Sequence, residues 1–180
     1  MSLSPYFYLE RWNSKKNCYE KISLYRKAGL FASEKEKARG FEEVDFWPWN
    51  GTHDLFSLLG TASRSGDYDS IEGVHKGIPP MVSEEVKAKI DSFFDKDNLY
   101  QLGAEGSVCW ITLADLYIEM LKHPKVVDYN EEWEEGEKKY KDTPIKELID
   151  RIVSFIEFAD DIYLPEENRS LIRLVYWVVW

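Results

Sequence analysis

Cysteine is scarce in this chain: Cys18 and Cys109 are the only two among 180 residues. Two thiols make neither a disulfide scaffold nor a four-ligand zinc site, so a reducing cytoplasm is the expected location. Each lies in a run that reads as strand, where a thiol behaves as a small buried hydrophobe. The histidines, His53, His75 and His123, follow no metal-ligand spacing, and no H-x-x-x-H or C-x-x-C pair occurs; no metal and no cofactor are expected. The sequence also lacks the G-x-S-x-G nucleophile elbow and the G-x-x-x-x-G-K-[ST] phosphate loop. Carboxylates are so abundant that pairs such as Asp160-Asp161 arise by chance, so no catalytic residue is assigned. No run approaches the roughly 18 apolar residues of a membrane span. The opening Met-Ser-Leu-Ser-Pro has no basic region followed by an apolar stretch, so secretion and membrane insertion are not expected. Positive charge is in deficit too. With 23 Lys+Arg against 33 Asp+Glu and a formal charge of -10, an unassisted grip on DNA, RNA or an anionic membrane is disfavoured. Neither nucleic acid nor a membrane is an expected partner, although a local basic pocket is compatible with these totals.

What the chain does have is bulk. Hydrophobic residues make up 44% and aromatic ones 15%, including 7 Trp, 11 Tyr and 9 Phe, too rich in core formers for a disordered chain. A single globular domain over residues 1–180 is expected, able to bury about 70% of its unfolded surface.

Aromatic and β-branched residues from Tyr6 to Leu9 and from Cys18 to Tyr25 flank the polar cluster Asn13 to Asn17, which predicts an N-terminal hairpin. Residues 26–42 read as a charged connector with room for a short helix. Val44 to Trp49 is a candidate third strand stopped by Pro48, followed by the Asn50-Gly51-Thr52 turn and a short helix from His53 to Leu59. Residues 60–80, with four glycines and two prolines, form a long loop of the kind that carries function. Ser83 is an N-cap for a helix to about Lys96, with Val86, Ile90, Phe93 and Phe94 as its stripe. Thr112 to Asp115 has capping-box spacing, with Asp in place of Glu, for a helix to Lys122 that Pro124 ends. Residues 125–142, dominated by the Glu131 to Glu137 run followed by Lys138, Lys139 and Lys141, predict charge pairing on a solvated helical face, with an acidic interaction tail as the alternative. Thr143-Pro144 opens the clearest helix, its Ile145, Leu148, Ile149, Ile152, Phe155, Ile156 and Ala159 recurring at three and four. Leu171 to Trp180 is apolar on both alternating faces except at Arg173, the pattern of a strand buried from two sides. The expected fold is α+β, an antiparallel sheet including the N-terminal hairpin and the C-terminal strand, packed by helices.

Two segments could bind a ligand. Trp47 and Trp49 adjoin a helix start at Asn50 to His53, placing stacking surfaces beside backbone N–H groups. The alternative is a strand end that plugs the core with tryptophan. Gly73-Val74-His75-Lys76-Gly77 is basic and glycine-flanked, and Arg64 lies in the same long loop; an ordinary surface turn is the alternative here. Trp110 stands just before the capped Thr112 helix. Trp47, Trp49, Asn50, His53, Arg64, Lys76 and Trp110 are therefore expected to border one binding site for a small anionic ligand.

The order Tyr6-Phe7-Tyr8-Leu9-Glu10, then Asn50 to Leu59, then Lys76-Gly77-Ile78-Pro79 leading to Val82-Ser83, then Cys109-Trp110-Ile111-Thr112-Leu113-Ala114-Asp115-Leu116 resembles a broad family of uncharacterised tailed-bacteriophage proteins. Those share an aromatic-rich start, an N-Y-x-L-F-like helix, an R-G-L-P-x-x-V-S loop and an S-W-L-T-L-A-E-L helix entry. Lys76 stands where they usually carry arginine, and Pro80 adds a second proline to the loop. The resemblance implies a small phage accessory protein in the cytoplasm of an infected bacterial host. An anti-defence role fits, in which the protein binds and sequesters a nucleotide-derived host signal without catalysis. The rival is an acidic module that blocks a basic host protein surface, drawn from the net charge and the Glu131 to Glu137 run around Trp133. A hydrolase of the same nucleotides ranks last because the motifs are missing. Self-association into a homo-oligomer is compatible with all three.

Overall fold

A computed structural model describes residues 4–44, 58–59, 71–94, 108–127, 139–160 and 164–179. Strand β1 (Ser4–Asn13) turns back into β2 (Cys18–Lys21) in antiparallel register, Asn13 opposite Cys18. The polar turn closes as its composition predicts: Asn13 Oδ1 accepts from the N–H groups of Lys15 and Lys16, and Asn17 takes the left-handed conformation at φ 55°. The second strand is shorter than its sequence suggests. One further bond, Ile22 N–H to the Leu9 carbonyl, extends the hairpin. The chain then leaves as β3 (Leu24–Lys27), which pairs with β4 (Phe41–Val44) in a separate two-stranded sheet. Two partners draw it away. Leu24 is buried in the main core and Arg26 pairs with Glu42 at 2.5 Å. The short helix α1 (Glu34–Arg39) occupies the connector. The candidate strand from Val44 to Trp49 overlaps this hairpin only at Val44, and residues 45–49 lie outside the described residues.

Strand β9 (Ile172–Val179) is the spine of the main sheet. It lies antiparallel between β1 and β6 (Cys109–Thr112), and β5 (His75–Lys76) completes the order β2-β1-β9-β6-β5. The α+β fold and its antiparallel sheet of N- and C-terminal strands therefore match the expectation. Alternation splits the core in two. Phe7, Leu9, Cys109, Ile111, Leu174 and Tyr176 face one apolar cluster; Tyr8, Val175 and Trp177 face the other. The buried Tyr176 hydroxyl donates to the Leu59 carbonyl at 2.8 Å, so its polar end is satisfied.

Helix α2 (Glu84–Phe93) covers the second face through Val86 and Ile90, and Ser83 Oγ accepts from the Val86 N–H. Phe93 sits at the rim, its ring 4.4 Å from that of Tyr6. Helix α3 (Leu113–Lys122) and helix α4 (Pro144–Asp160) build the first face. The stripe of α4 is buried as its periodicity requires, with Ile145, Leu148, Ile149, Ile152 and Ile156 all at 1% exposure or less. Its start differs from a side-chain cap: the buried Thr143 hydroxyl has no hydrogen-bond partner. The preset φ of Pro144 is what favours the first turn. At α3, Asp115 is one methylene shorter than the usual Glu, and it accepts the Thr112 hydroxyl proton while its own N–H donates to that oxygen.

The helical reading of residues 125–142 is corrected at both ends. Lys125–Val127 is strand β7 and Tyr140–Asp142 is strand β8, paired with Val126 opposite Lys141. Pro124 and Pro144 bracket the segment, and strand pairing lets Val126 reach the core at 7% exposure. The Glu131 to Glu137 run and Trp133 lie outside the described residues. A 3₁₀ turn (Glu166–Leu171) leads into β9.

Candidate functional site

Arg173, the one charge in an otherwise apolar strand, lies near the start of β9 on the second sheet face with 1% exposure. Burial of a guanidinium demands a counter-charge and hydrogen bonds. Glu10, its register partner on β1, supplies the charge: Oε2 accepts from Arg173 Nε at 2.7 Å and lies 2.6 Å from Nη2. The Nη2 contact is an ion pair without hydrogen-bond alignment. Arg173 Nη1 donates to the Pro80 carbonyl at 2.8 Å, and Glu10 Oε1 accepts from the Ser83 N–H at 2.7 Å. One buried pair thus ties the 77–83 loop to the sheet. Within that loop Gly77 has φ +100° and Met81 φ +51°. Met81 is strained there, because a Cβ disfavours the left-handed region.

Around this pair runs a line of π faces. The Tyr19 ring lies 3.5 Å from the Arg173 guanidinium carbon, and Trp12 meets Tyr19 edge-on at 5.1 Å. On the other side the Trp110 ring is 5.8 Å from the guanidinium, and His75 stacks on Trp110 at 4.2 Å with 19° between planes. Trp12, Tyr19 and Trp110 are half-buried and His75 is exposed. The row crosses the sheet from β2 to β5, held by strand register: Trp12 opposite Tyr19, Glu10 opposite Arg173, His75 opposite Trp110. Gly73 lets β5 close on α3, since a Cβ there would meet Asp115 Cβ at 3.0 Å and Ile111 Cδ1 at 3.3 Å.

The expected site residues divide as follows. Trp47, Trp49, Asn50, His53 and Arg64 lie outside the described residues. Trp110 and Lys76 come to neighbouring strands, with Lys76 opposite Cys109 rather than Trp110. Alternation directs Lys76 toward the Cys109 face, so the groups beside Trp110 are the Arg173 guanidinium and the His75 ring. Burial pushes the Cys109 thiol up to about 11, against an opposing pull from Lys76, which makes it an inert thiol at neutral pH. Sequence reasoning left Glu10, Trp12, Tyr19 and Arg173 out of the candidate site, and placed His75 there only as part of the basic, glycine-flanked turn from Gly73 to Gly77. The signal for Arg173 was available: a lone charge in a doubly buried strand must have a partner.

Among the described residues no group of three or more His, Cys, Asp or Glu could hold a metal ion. The chemistry on offer is stacking on half-buried rings, held from behind by the buried Glu10–Arg173 ion pair. No known protein family, no curated protein and no solved structure matches this chain.

Proposed function

We propose that the protein binds a small planar anionic ligand of the nucleotide class on the open part of this sheet face and sequesters it unchanged. The observation that supports the reading is the row Tyr19, Arg173, Trp110 and His75, in which the buried Arg173 lies between two half-buried rings and the exposed His75 stacks on Trp110. A base stacks on such rings whatever its identity, at about 1–3 kcal/mol per base. Lys76, next to His75 on β5, is directed to the other face of the sheet and is not part of this surface. Arg173 is already neutralised by Glu10, so its part is to orient the rings rather than to hold the anion. In an infected bacterium, the setting suggested by the likeness to tailed-bacteriophage proteins, such a binder acts against a nucleotide-derived host signal.

Calorimetric titration with linear and cyclic nucleotides tests the reading. Binding below about 100 μM that weakens in His75→Ala is the expected result, and no binding in that range refutes it. Heating the complex should then release the nucleotide intact; recovery of a converted product would replace the sequesterer with an enzyme.

A further inference from the structure

The connector between β3 and β4 is built to hold two apolar side chains in water. Leu30 is 89% exposed and Phe31 102%, although covering either would be favourable. They are not on a loose excursion. The Ala28 N–H donates to the Gly40 carbonyl at 3.1 Å, and the Ala32 N–H to the Gly29 carbonyl at 3.2 Å. Ala32 is buried, and Ser33 opens α1 with a reciprocal capping box to Glu36. Leu30 and Phe31 therefore stand on a hydrogen-bonded base. Phe41, 42% exposed and edge-on to Tyr25 at 5.9 Å, extends the apolar flank.

The local charge is opposite in sign to the chain's. Residues 26–43 carry Arg26, Lys27, Lys35, Lys37 and Arg39 against Glu34, Glu36, Glu42 and Glu43, a small positive excess in a protein of formal charge -10. Arg26 is engaged by Glu42 and Lys37 by Glu34; Lys27, Lys35 and Arg39 are exposed. We infer that this tip, Leu30 and Phe31 flanked by Lys27, Lys35 and Arg39, docks reversibly on an anionic phospholipid surface. The apolar pair enters the interface and the cations meet the headgroups.

Area and charge select this occupant. A specific protein interface needs roughly 800 Å² from each partner, far more than two side chains supply, so the tip alone serves neither a stable dimer nor a stable heteromer. A bilayer interface accepts a small wedge and favours apolar insertion combined with basic flanks. The chain-wide negative charge does not cancel this, because screening confines each charge to about 8–10 Å at physiological salt. With the tip leading, the membrane meets the local cations first. This contact is peripheral, and it is independent of the proposed ligand site.

The test is sedimentation of the full chain with vesicles of equal parts phosphatidylglycerol and phosphatidylcholine, beside vesicles of phosphatidylcholine alone. Expected is binding to the anionic vesicles only, reduced about tenfold or more in Leu30→Ser/Phe31→Ser and in Lys27→Glu/Lys35→Glu. Both variants should keep the parent's thermal midpoint, because the altered side chains are exposed. Failure to sediment with the anionic vesicles overturns the inference, as does binding that survives both double substitutions. If light scattering instead finds a dimer that the Leu30/Phe31 change dissolves, a second copy covers the tip and lipid docking is overturned.

Discussion

Replacing Glu10 with Gln would remove one buried charge from the sheet and leave Arg173 buried with nothing to balance it. In the parent, Arg173 Nε and Nη2 lie 2.7 and 2.6 Å from Glu10 Oε2, and neither side chain is more than 1% exposed. Gln keeps the shape, so packing is not what is lost, but its one amide oxygen can accept either the Ser83 N–H or the Arg173 Nε–H, and its NH2 group then faces the other donor. The loss is of the charge together with one hydrogen bond, and arginine cannot escape it by giving up its proton. Removing one partner of a buried pair costs about 3–5 kcal/mol. For a chain of this length that is a fall of roughly 6–20 °C in the thermal midpoint. The double variant Glu10→Gln/Arg173→Met removes both charges and should regain most of the loss, since apolar replacement of a buried pair is often neutral. Urea titrations of parent, both single variants and the double variant complete the cycle, with a coupling of about 2 kcal/mol or more expected. A Glu10→Gln protein within about 1 kcal/mol of the parent would refute the reasoning, because it would mean that water reaches Arg173.

Ile152→Asp should abolish cooperative folding, since Ile152 has 0% exposure in the core-facing stripe of α4 and an unpaired charge there costs several kcal/mol; a melt near the parent's midpoint would show otherwise. Alkaline stability should fall between pH 9 and 11. An unfolded Cys109 thiol ionises near its ordinary 9.0, whereas the folded one holds its proton to about 11. The stabilisation, about 2–3 kcal/mol, is thus complete below pH 9 and lost as pH rises through 11. Tyr176, raised well above its ordinary 10.0 by burial and then by Cys109, acts in the same direction, so Cys109→Ala should flatten the pH profile only in part. Thiol labelling of the folded protein at pH 8 should modify the half-buried Cys18 while sparing Cys109 until denaturant is added; equal labelling rates would contradict the assigned burial. His75→Ala should weaken nucleotide binding by about 1–3 kcal/mol and leave the apo midpoint in place, because His75 is exposed; unchanged affinity would remove it from the site.

The parts of the fold legible in the sequence are those that a single segment specifies. The α4 stripe, the Ser83 and Thr112 caps, the Asn13 turn and the doubly apolar C-terminal strand each follow from spacing or turn chemistry within a few residues, and each is present in the structure. Beyond the N-terminal hairpin and its sharing a sheet with the C-terminal strand, neighbours were not legible, because a period of two tells which face a side chain takes and not which strand lies beside it. That is why Cys18 to Tyr25 reads as one strand although Leu24 leaves for β4, and why the charged 125–142 segment reads as helix although Val126 pairs with Lys141. The candidate site divides along the same line. Trp110 and Lys76 are marked locally, by a helix entry and a glycine-flanked basic turn. Only the tertiary structure sets His75 on Trp110 or brings Glu10 to Arg173 across 163 positions of chain. A buried arginine dictates that some carboxylate must come to it; which one comes is decided by the register of two strands from opposite ends of the protein.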